Sequence, residues 1–194
     1  MRVNEIFYSL QGEGFYAGTP AVFVRFSGCN LQCPFCDTAH TAFRDLTEEA
    51  VVAAVAEWPA RHVVLTGGEP SLQLTATLVD KLHEAGKYVA VETNGTHVLP
   101  PAVDWVTLSP KGTWLADSGR AKVVLRGCDE LKMVFTGTPP VLPEGVVARH
   151  LFLQPCDCGD AGRNAALVDA VIRYCKAHPA WRLSLQLHKI CGFR

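Results

Sequence analysis

The stretch GCNLQCPFCDT, residues 28–38, places three cysteines within eight positions. Cys29, Cys33 and Cys36 come from one loop, and three thiolates from one loop can surround a single metal centre. Structural zinc ions and cubane iron–sulfur clusters both usually take four protein ligands. The loop alone therefore leaves two interpretations open. One is a zinc knuckle completed by His40 or a distant cysteine, and the other is a [4Fe–4S] cluster with one iron left open for a small molecule.

Short apolar runs rich in β-branched residues lie on both sides of this loop and predict strands. Most are continuous rather than alternating, which is typical of parallel strands covered on both faces. Three helices are predicted: one from Thr47 to about Trp58, one from near Ser71 to a stop at Gly86, and one over 161–177. The predicted strands are 21–26, 62–66, 88–92, 104–108, 130–135, 150–154 and 182–187.

Strands that alternate with helices predict βαβ units and a parallel sheet. A closed eightfold barrel normally needs about 250 residues. This chain has 194, and helices are missing between several of its predicted strands. We therefore predict an α/β fold, an incomplete parallel β/α barrel with an open side and reduced helix content. No linker or repeat divides residues 1–194, so we expect a single domain.

The composition excludes several classes of protein. Apolar residues make up 48% and charged residues 19% of the chain, which argues against intrinsic disorder. The net charge of -1 argues against a generally basic surface, so we expect no nucleic-acid partner. No apolar run reaches the roughly 18–20 residues of a membrane span and no leader is visible, so we expect a cytoplasmic protein without a membrane partner. In that reducing compartment, cysteines serve better as metal ligands, catalytic thiols or core residues than as disulfides.

Segments rich in glycine, proline and polar residues follow the predicted strands. In parallel sheets of this kind, ligands bind beyond the carboxyl ends of the strands. The cysteine loop follows the first of these strands, and we expect the other segments to meet it there. They are TGGEP at 66–70, TNG at 93–95, SPK at 109–111 and QPCD at 154–157.

The cysteine spacing, with Phe35 before the last cysteine, resembles that of the radical S-adenosylmethionine (SAM) enzymes. The resemblance implies that Cys29, Cys33 and Cys36 are catalytic and hold a [4Fe–4S] cluster whose fourth iron chelates SAM. An electron from the cluster then releases a 5′-deoxyadenosyl radical, which abstracts a hydrogen atom from the substrate. The SAM contacts that the resemblance implies are Phe35, Cys36, Asp37, Gly68, Ser109, Pro110, Lys111, Gln154, Pro155, Cys156 and Asp157.

Further segments narrow the resemblance to one family. They are EIFYSLQGEG at 5–14, CDT at 36–38, ETNGT at 92–96, SPK, ELK at 130–132, LQP at 153–155 and LSLQLHK at 183–189 with the ending through Arg194. Together they resemble the 7-carboxy-7-deazaguanine synthases, the QueE family. The resemblance implies conversion of 6-carboxy-5,6,7,8-tetrahydropterin to 7-carboxy-7-deazaguanine with loss of ammonia. It also implies Mg2+, an electron donor such as flavodoxin or ferredoxin, and a homodimer.

The same resemblance assigns roles to residues that suit this substrate. A pterin edge presents an amino group and a ring N–H, and a carboxylate such as Glu13 accepts from both. Arg25 can pair with the substrate carboxylate, while Thr38 is the implied Mg2+ ligand, with Asp37 assisting through water. The substrate contacts that the resemblance implies are Leu10, Gln11, Gly12, Glu13, Arg25, Thr66, His188 and Arg194, the last through its terminal carboxylate.

Three alternatives compete with this interpretation. A glycyl-radical-activating enzyme shares the cysteine motif but acts on a protein, and it leaves QGEG, CDT and LQLHK unexplained. A zinc-binding module leaves GGEP and SPK without a role. Cys156 and Cys158 also allow an auxiliary cluster with Cys128, Cys175 or Cys191, although Cys175 lies on the inward stripe of a predicted helix.

Overall fold

Nine strands and four α-helices form within residues 1–38, 41–112 and 118–194, which the computed structural model describes. The strands are β1 (Arg2–Leu10), β2 (Pro20–Phe26), β3 (Arg44–Asp45), β4 (His62–Gly67), β5 (Tyr88–Thr93), β6 (Trp105–Leu108), β7 (Gly127–Phe135), β8 (Val147–Pro155) and β9 (Trp181–Leu183). The helices are α1 (Glu48–Ala56), α2 (Ala76–Glu84), α3 (Ala161–Ala177) and α4 (Leu187–Cys191).

One sheet contains all these strands in the order β3-β1-β2-β4-β5-β6-β7-β8-β9. Strand β1 is antiparallel to its neighbours β2 and β3, and every pair from β2–β4 to β8–β9 is parallel. In the described part of the chain, α-helices precede only β4, β5 and β9 among the parallel strands. The predicted partial barrel with reduced helix content is therefore confirmed.

The core lies on both faces of the sheet because successive side chains of a strand point to opposite faces. Inside the curve of the sheet, Phe7, Phe23, Val64, Ala90 and Trp105 form an apolar layer. Outside it, one cluster packs against α1 and α2 and a second packs against α3. Burial of each Val or Leu in these clusters contributes about 1.5–3 kcal/mol, which explains why the strands read as continuous apolar runs.

The helix boundaries follow local capping. Helix α1 begins after Thr47 as predicted, since the Thr47 hydroxyl accepts from the Ala50 N–H at 3.2 Å. The predicted start of the second helix near Ser71 is wrong. A short 3-10 helix, Pro70–Leu72, occupies that position, and α2 begins only after Thr75, whose hydroxyl caps it. Helix α3 covers Ala161–Ala177 as predicted.

The two ends of the chain differ from expectation. Strand β1 was not predicted, because its polar and apolar residues are mixed rather than continuous. The predicted strand 182–187 is wrong beyond Leu183, where β9 ends and the chain turns into α4. The Leu187 N–H donates to the Gly12 carbonyl oxygen at 2.9 Å, which draws the end of the chain towards the loop after β1. None of the described helices has both the length and the apolar composition of a membrane span.

Candidate active site

A cleft of about 730 Å³ opens at the carboxyl ends of the parallel strands. Residues two positions apart on a strand share a face, so a polar side chain stands directly beyond each apolar one of the inner layer. Thr66 thus follows Val64 on β4, and Glu92 follows Ala90 on β5. This polar layer consists of Arg25, Thr66, Glu92, Thr107, Lys132 and Gln154, all of which line the cleft.

The three cysteines of the loop 28–38 line the cleft together. Burial raises the pKa of the Cys29 and Cys33 thiols, and the charges of Cys33 and Cys36 raise the pKa of Cys29 further, so the three sulfur atoms lie near one another. Within residues 1–38, 41–112 and 118–194, no three His, Cys, Asp or Glu side chains converge as they would around one ion. Iron–sulfur clusters are held by cysteine thiolates, one to each ligated iron, so three thiolates from one loop that line one cleft fit such a cluster.

Glu69 joins the glycine-rich segment after β4 to the segment after β5. Its side chain is almost fully buried. Oε1 accepts from the Thr93 hydroxyl at 2.6 Å and the Ser71 N–H at 3.0 Å, and Oε2 accepts from the Asn94 N–H at 2.7 Å. Asn94 in turn donates to Asn30 Oδ1 in the cysteine loop at 3.0 Å. A buried carboxylate with three donors is well satisfied, so Glu69 serves as a structural bridge between the loops.

The backbone of the glycine-rich segment lies directly against the cysteine loop. The Gly68 N–H donates to the Phe26 carbonyl oxygen at 3.0 Å, and the Glu69 N–H donates to the Gly28 carbonyl oxygen at 2.9 Å. An ideal Cβ at Gly68 would lie only 1.9 Å from the Gly28 oxygen, so the contact requires glycine at this position.

The segment after β6 aims an ammonium group at the cysteine loop. Lys111 Nζ donates to the Ser109 hydroxyl at 2.7 Å and lies 5.6 Å from the centre of the Phe35 ring. Burial lowers the pKa of Lys111, and the nearby Cys33 thiolate opposes that effect. A cation in this position can neutralise a bound carboxylate.

Lys189 of α4 links the segment after β8 to the cysteine loop. Its Nζ donates to Asp157 Oδ2 at 2.8 Å and to Asp37 Oδ2 at 2.7 Å. The Asn164 side chain also donates to Asp157, at 2.8 Å. These hydrogen bonds hold the pKa of Asp157 below its ordinary value and connect two walls of the cleft.

The loop after β1 brings Glu13 into the cleft. Glu13 Oε2 accepts from Lys132 Nζ at 2.5 Å, and Oε1 accepts from the Gln186 side chain at 3.0 Å. Burial raises the pKa of Glu13, but Lys132 and Gln186 outweigh it and lower the pKa to about 2. The neighbouring Gly12 lies so close to His188 that an ideal Cβ would be 2.5 Å from its Nδ1.

Two arginines meet at one carboxylate on the other side of the cleft. Arg25 Nε donates to Glu5 Oε1 at 2.8 Å, and the Arg194 guanidinium pairs with the second oxygen of Glu5. The chain terminus is held as well, because the Ser9 hydroxyl donates to Arg194 O at 2.5 Å. The last residue therefore lines the cleft instead of fraying.

Known proteins share this sequence and this fold. The model of the radical SAM superfamily matches residues 23–112. The chain is 52% identical over 193 residues to the 7-carboxy-7-deazaguanine synthase of Bacteroides thetaiotaomicron, covering 100% of this chain and 98% of the relative. It is 47% identical to that of Nitratidesulfovibrio vulgaris, covering 98% of each. The chain belongs to the 7-carboxy-7-deazaguanine synthase family. The crystal structure of QueE from Escherichia coli is also similar, with a TM-score of 0.72 and 29% identity over 96% of this chain and 94% of that one.

Membership of the 7-carboxy-7-deazaguanine synthase family makes this chain a radical SAM enzyme, which uses a [4Fe–4S] cluster and SAM. The zinc knuckle is therefore rejected as the interpretation of the cysteine loop. Its suggested fourth ligand, His40, lies outside the described residues.

Nearly all of the residues implied by the 7-carboxy-7-deazaguanine synthase resemblance line the same cleft. The exception is Pro110, which is buried and does not reach the cleft surface. Ser109 and Lys111 on either side of it do face the cleft, and the residue between two such neighbours points the other way in an extended segment. Their individual roles stay predictions.

Among the cleft residues that received no role from the sequence, four pair with residues far away in the chain. Glu92, Lys132, Gln186 and Lys189 all line the cleft. These residues lie in the segments ETNGT, ELK and LSLQLHK. A charged or amide side chain next to apolar residues was the feature that could have indicated a functional position. Their importance is apparent only from their partners, because each contacts residues far away in the chain.

The remaining cysteines lie at separate places in the described part of the chain. Cys128 and Cys175 pack in the cluster against α3, and burial raises the pKa of Cys128 to about 12. Cys191 is exposed on α4, whereas Cys156 lines the cleft with Cys158 beside it. The described residues therefore give no support to an auxiliary cluster.

Proposed function

We propose that this chain converts 6-carboxy-5,6,7,8-tetrahydropterin to 7-carboxy-7-deazaguanine with release of ammonia, in the biosynthesis of queuosine and related 7-deazapurines. The observation that carries the proposal is the cleft, since the cysteine loop, the glycine-rich segment and the Glu13 loop all line one space. Its volume of about 730 Å³ is within the range of small-molecule sites. No protein nucleophile is required, so the side chains act by positioning, neutralising charge and excluding water and oxygen.

We assign the cluster to Cys29, Cys33 and Cys36, and SAM to the segments 35–37, 109–111 and 154–157 together with Gly68. When bound, the cluster and SAM supply a 5′-deoxyadenosyl radical that abstracts a hydrogen atom from the substrate. Lys111 is suited to the methionine carboxylate of SAM, because its ammonium is held by Ser109 beside the cysteine loop. Gly68 lines the cleft beside the cysteine loop, which supports a role of its backbone in binding the methionine amino group.

We assign the amino and N–H edge of the pterin to Glu13, with Gln11 and the backbone of Leu10 and Gly12 beside it. Lys132 and Gln186 each occupy one oxygen of Glu13, and a carboxylate has about four acceptor positions, so acceptor capacity remains for the substrate. Thr66, His188 and Arg194 complete the proposed substrate contacts, and all three line the cleft.

We assign the substrate carboxylate to Arg25 and to a magnesium ion held by Thr38. The bond of Arg25 to Glu5 uses Nε, and a guanidinium has four further N–H groups on its terminal nitrogens. Magnesium takes few protein ligands and retains several waters, so one hydroxyl with Asp37 nearby fits this ion. Thr38 and Asp37 both line the cleft, at the end of the cysteine loop.

Four further features are proposed with this function. The chain works in the cytoplasm, forms a homodimer, receives electrons from a flavodoxin or ferredoxin, and needs no nucleic acid or membrane as a partner. We also propose that residues 1–194 are a single domain, which the continuity of one sheet from β1 to β9 supports.

The test is anaerobic incubation of the reduced, reconstituted protein with SAM, magnesium and carboxytetrahydropterin, with the product identified by mass. We expect 7-carboxy-7-deazaguanine, and its absence while SAM is cleaved would favour an activating enzyme that acts on a protein. Cys33→Ala is expected to lose the brown cluster and all turnover. Cys191→Ala, at an exposed cysteine that does not line the cleft, is the matched control. Normal SAM cleavage by Cys33→Ala contradicts the assignment.

A further inference from the structure

The ELK segment of β7 places one ammonium group at the floor of the cleft. Alternation along the strand turns Leu131, Met133 and Phe135 into the outer core and Lys132 to the opposite face, where it lines the cleft. The Lys132 side chain is only 8% exposed. A lysine buried to this extent requires partners, because an unpaired buried charge is very unfavourable.

Three carboxylates surround this ammonium. Lys132 Nζ lies 2.5 Å from Glu13 Oε2 and 3.6 Å from Glu92 Oε1. Glu130, two positions earlier on β7, also acts on Lys132 through its charge. One cation cannot neutralise three anions, and burial raises the pKa of Glu130, which favours its neutral form. Lys132 therefore pairs chiefly with Glu13 and Glu92.

Both carboxylates are fixed at their other positions by neutral donors. Gln186 donates to Glu13 Oε1 at 3.0 Å. Gln11 donates to Glu92 Oε1 at 3.2 Å, and the Thr66 hydroxyl donates to Glu92 Oε2 at 2.9 Å. Neutral donors orient a carboxylate but do not supply the countercharge that keeps it ionised in a buried place. In this group the countercharge comes from Lys132.

We propose that Lys132 is a positioning residue, which pairs with Glu13 and Glu92 and holds both carboxylates oriented to accept hydrogen bonds from the amino and ring N–H groups of the substrate. The inference rests on the proposed function in so far as it names the substrate. The geometry of the ion pairs on which it stands is independent of that function.

The titration of Glu13 agrees with this role. Burial alone raises its pKa, and Lys132 is the largest opposing influence, with the net result that the pKa falls from 4.5 to about 2. The charge of Glu13 in turn raises the pKa of Lys132 despite burial. The other charged or titratable groups that face this pair are Glu92 from β5, Lys111 beyond β6, Glu130 from β7, His188 from α4 and Asp37 from the cysteine loop.

The kinetic test compares Lys132→Met, which keeps the length of the side chain, with Lys132→Arg, which keeps the charge. For Lys132→Met we expect the KM for carboxytetrahydropterin to rise about tenfold, with a smaller effect on kcat, because Glu13 loses its countercharge and both carboxylates lose the ammonium that orients them. We also expect kcat/KM to fall on the acid side of neutrality, where the wild type remains flat. Lys132→Arg should show little of either change, because it keeps the positive charge. Lys176→Met, at an exposed lysine, is the control.

A second measurement needs no substrate. The pKa of Glu13 is lowered in the wild type, so its stabilisation is present above about pH 4.5 and is lost as the pH falls towards 2. In Lys132→Met, burial acts with less opposition and the pKa of Glu13 rises above 4.5. The free energy of unfolding of that variant should therefore decrease, relative to the wild type, as the pH rises through about 5 to 7, a range in which Glu13 gives the wild type no slope. Urea unfolding at several pH values measures the slope.

The two proposals fail in different ways. If the wild type forms no deazaguanine, the proposed function fails, and the difference in pH slope between Lys132→Met and the wild type still decides whether Lys132 keeps Glu13 charged. If the wild type is active but Lys132→Met has an unchanged KM, pH profile and pH slope, the inference about Lys132 is wrong. If Lys132→Met is too unstable to assay, Lys132→Arg decides, because it keeps the charge. A wild-type KM and pH profile support the inference, and a raised KM in a folded Lys132→Arg protein overturns it.

Discussion

Gly68 is where the glycine-rich segment touches the cysteine loop, and Gly68→Ala tests whether this contact holds the cluster site together. The added Cβ would lie 1.9 Å from the Gly28 carbonyl oxygen and 2.5 Å from its carbonyl carbon. Ordinary contact begins near 3.4 Å, so the two segments must separate by about 1.5 Å. The obstacle is backbone, which cannot rotate away as a side chain can. The hydrogen bond from the Glu69 N–H to the Gly28 oxygen, 2.9 Å long, is lost with that movement.

Overpacking of this kind costs about 1–3 kcal/mol, and the lost hydrogen bond adds about 0.5–1.5 kcal/mol. We therefore expect Gly68→Ala to lower the free energy of unfolding, measured in urea, by about 2–4 kcal/mol. We also expect less iron binding and less 5′-deoxyadenosine, because Cys29 moves with Gly28. Gly127→Ala is the matched control, since its Cβ meets nothing closer than 3.7 Å at the exposed start of β7. The reasoning is refuted if Gly68→Ala matches Gly127→Ala in stability, iron content and SAM cleavage.

Three further predictions concern the same cleft. Glu69→Gln places an amide NH2 group where two backbone N–H groups and a hydroxyl donate. We therefore expect the free energy of unfolding in urea to fall by about 1–3 kcal/mol. Unchanged stability contradicts the role of Glu69 as a bridge. Thr38→Ala should raise the magnesium concentration for half-maximal product formation while SAM is still cleaved without substrate. An unaltered magnesium titration removes Thr38 as the ligand. Cys158→Ser should keep about four irons per chain, as one cluster requires, and a loss of iron would make this cysteine a ligand after all.

The sequence predicted the site from its glycine, cysteine and strand-end signals because these depend on local chemistry. Cys29, Cys33 and Cys36 lie on one loop in any fold, and residues at the carboxyl ends of parallel strands meet at one edge of the sheet. The strands themselves were recognisable as continuous apolar runs, and Thr47 was recognisable as a cap. These features need no knowledge of distant contacts.

The end of the chain adopts a structure that its local sequence does not predict. The segment 182–187 has the alternating and apolar residues of a strand, yet the chain leaves the sheet after Leu183. Its turn is stabilised by contacts of Ser184 with Gly14 and Gln154, at 3.0 and 2.8 Å, which no local pattern can indicate. The local preference for a strand was overridden by tertiary hydrogen bonds.

By itself the sequence determined the family, the partial barrel and the cysteine loop, because periodicity and motif spacing are properties of neighbouring residues. Only the tertiary structure decided that Lys132 pairs with Glu13, 119 positions away in the chain, and that Lys189 joins Asp37 to Asp157. The physical reason is that the charge of a buried group depends on what the curved sheet brings within a few ångströms of it. That proximity arises because the loop after β1 reaches β7, and not from the order of residues along any one strand.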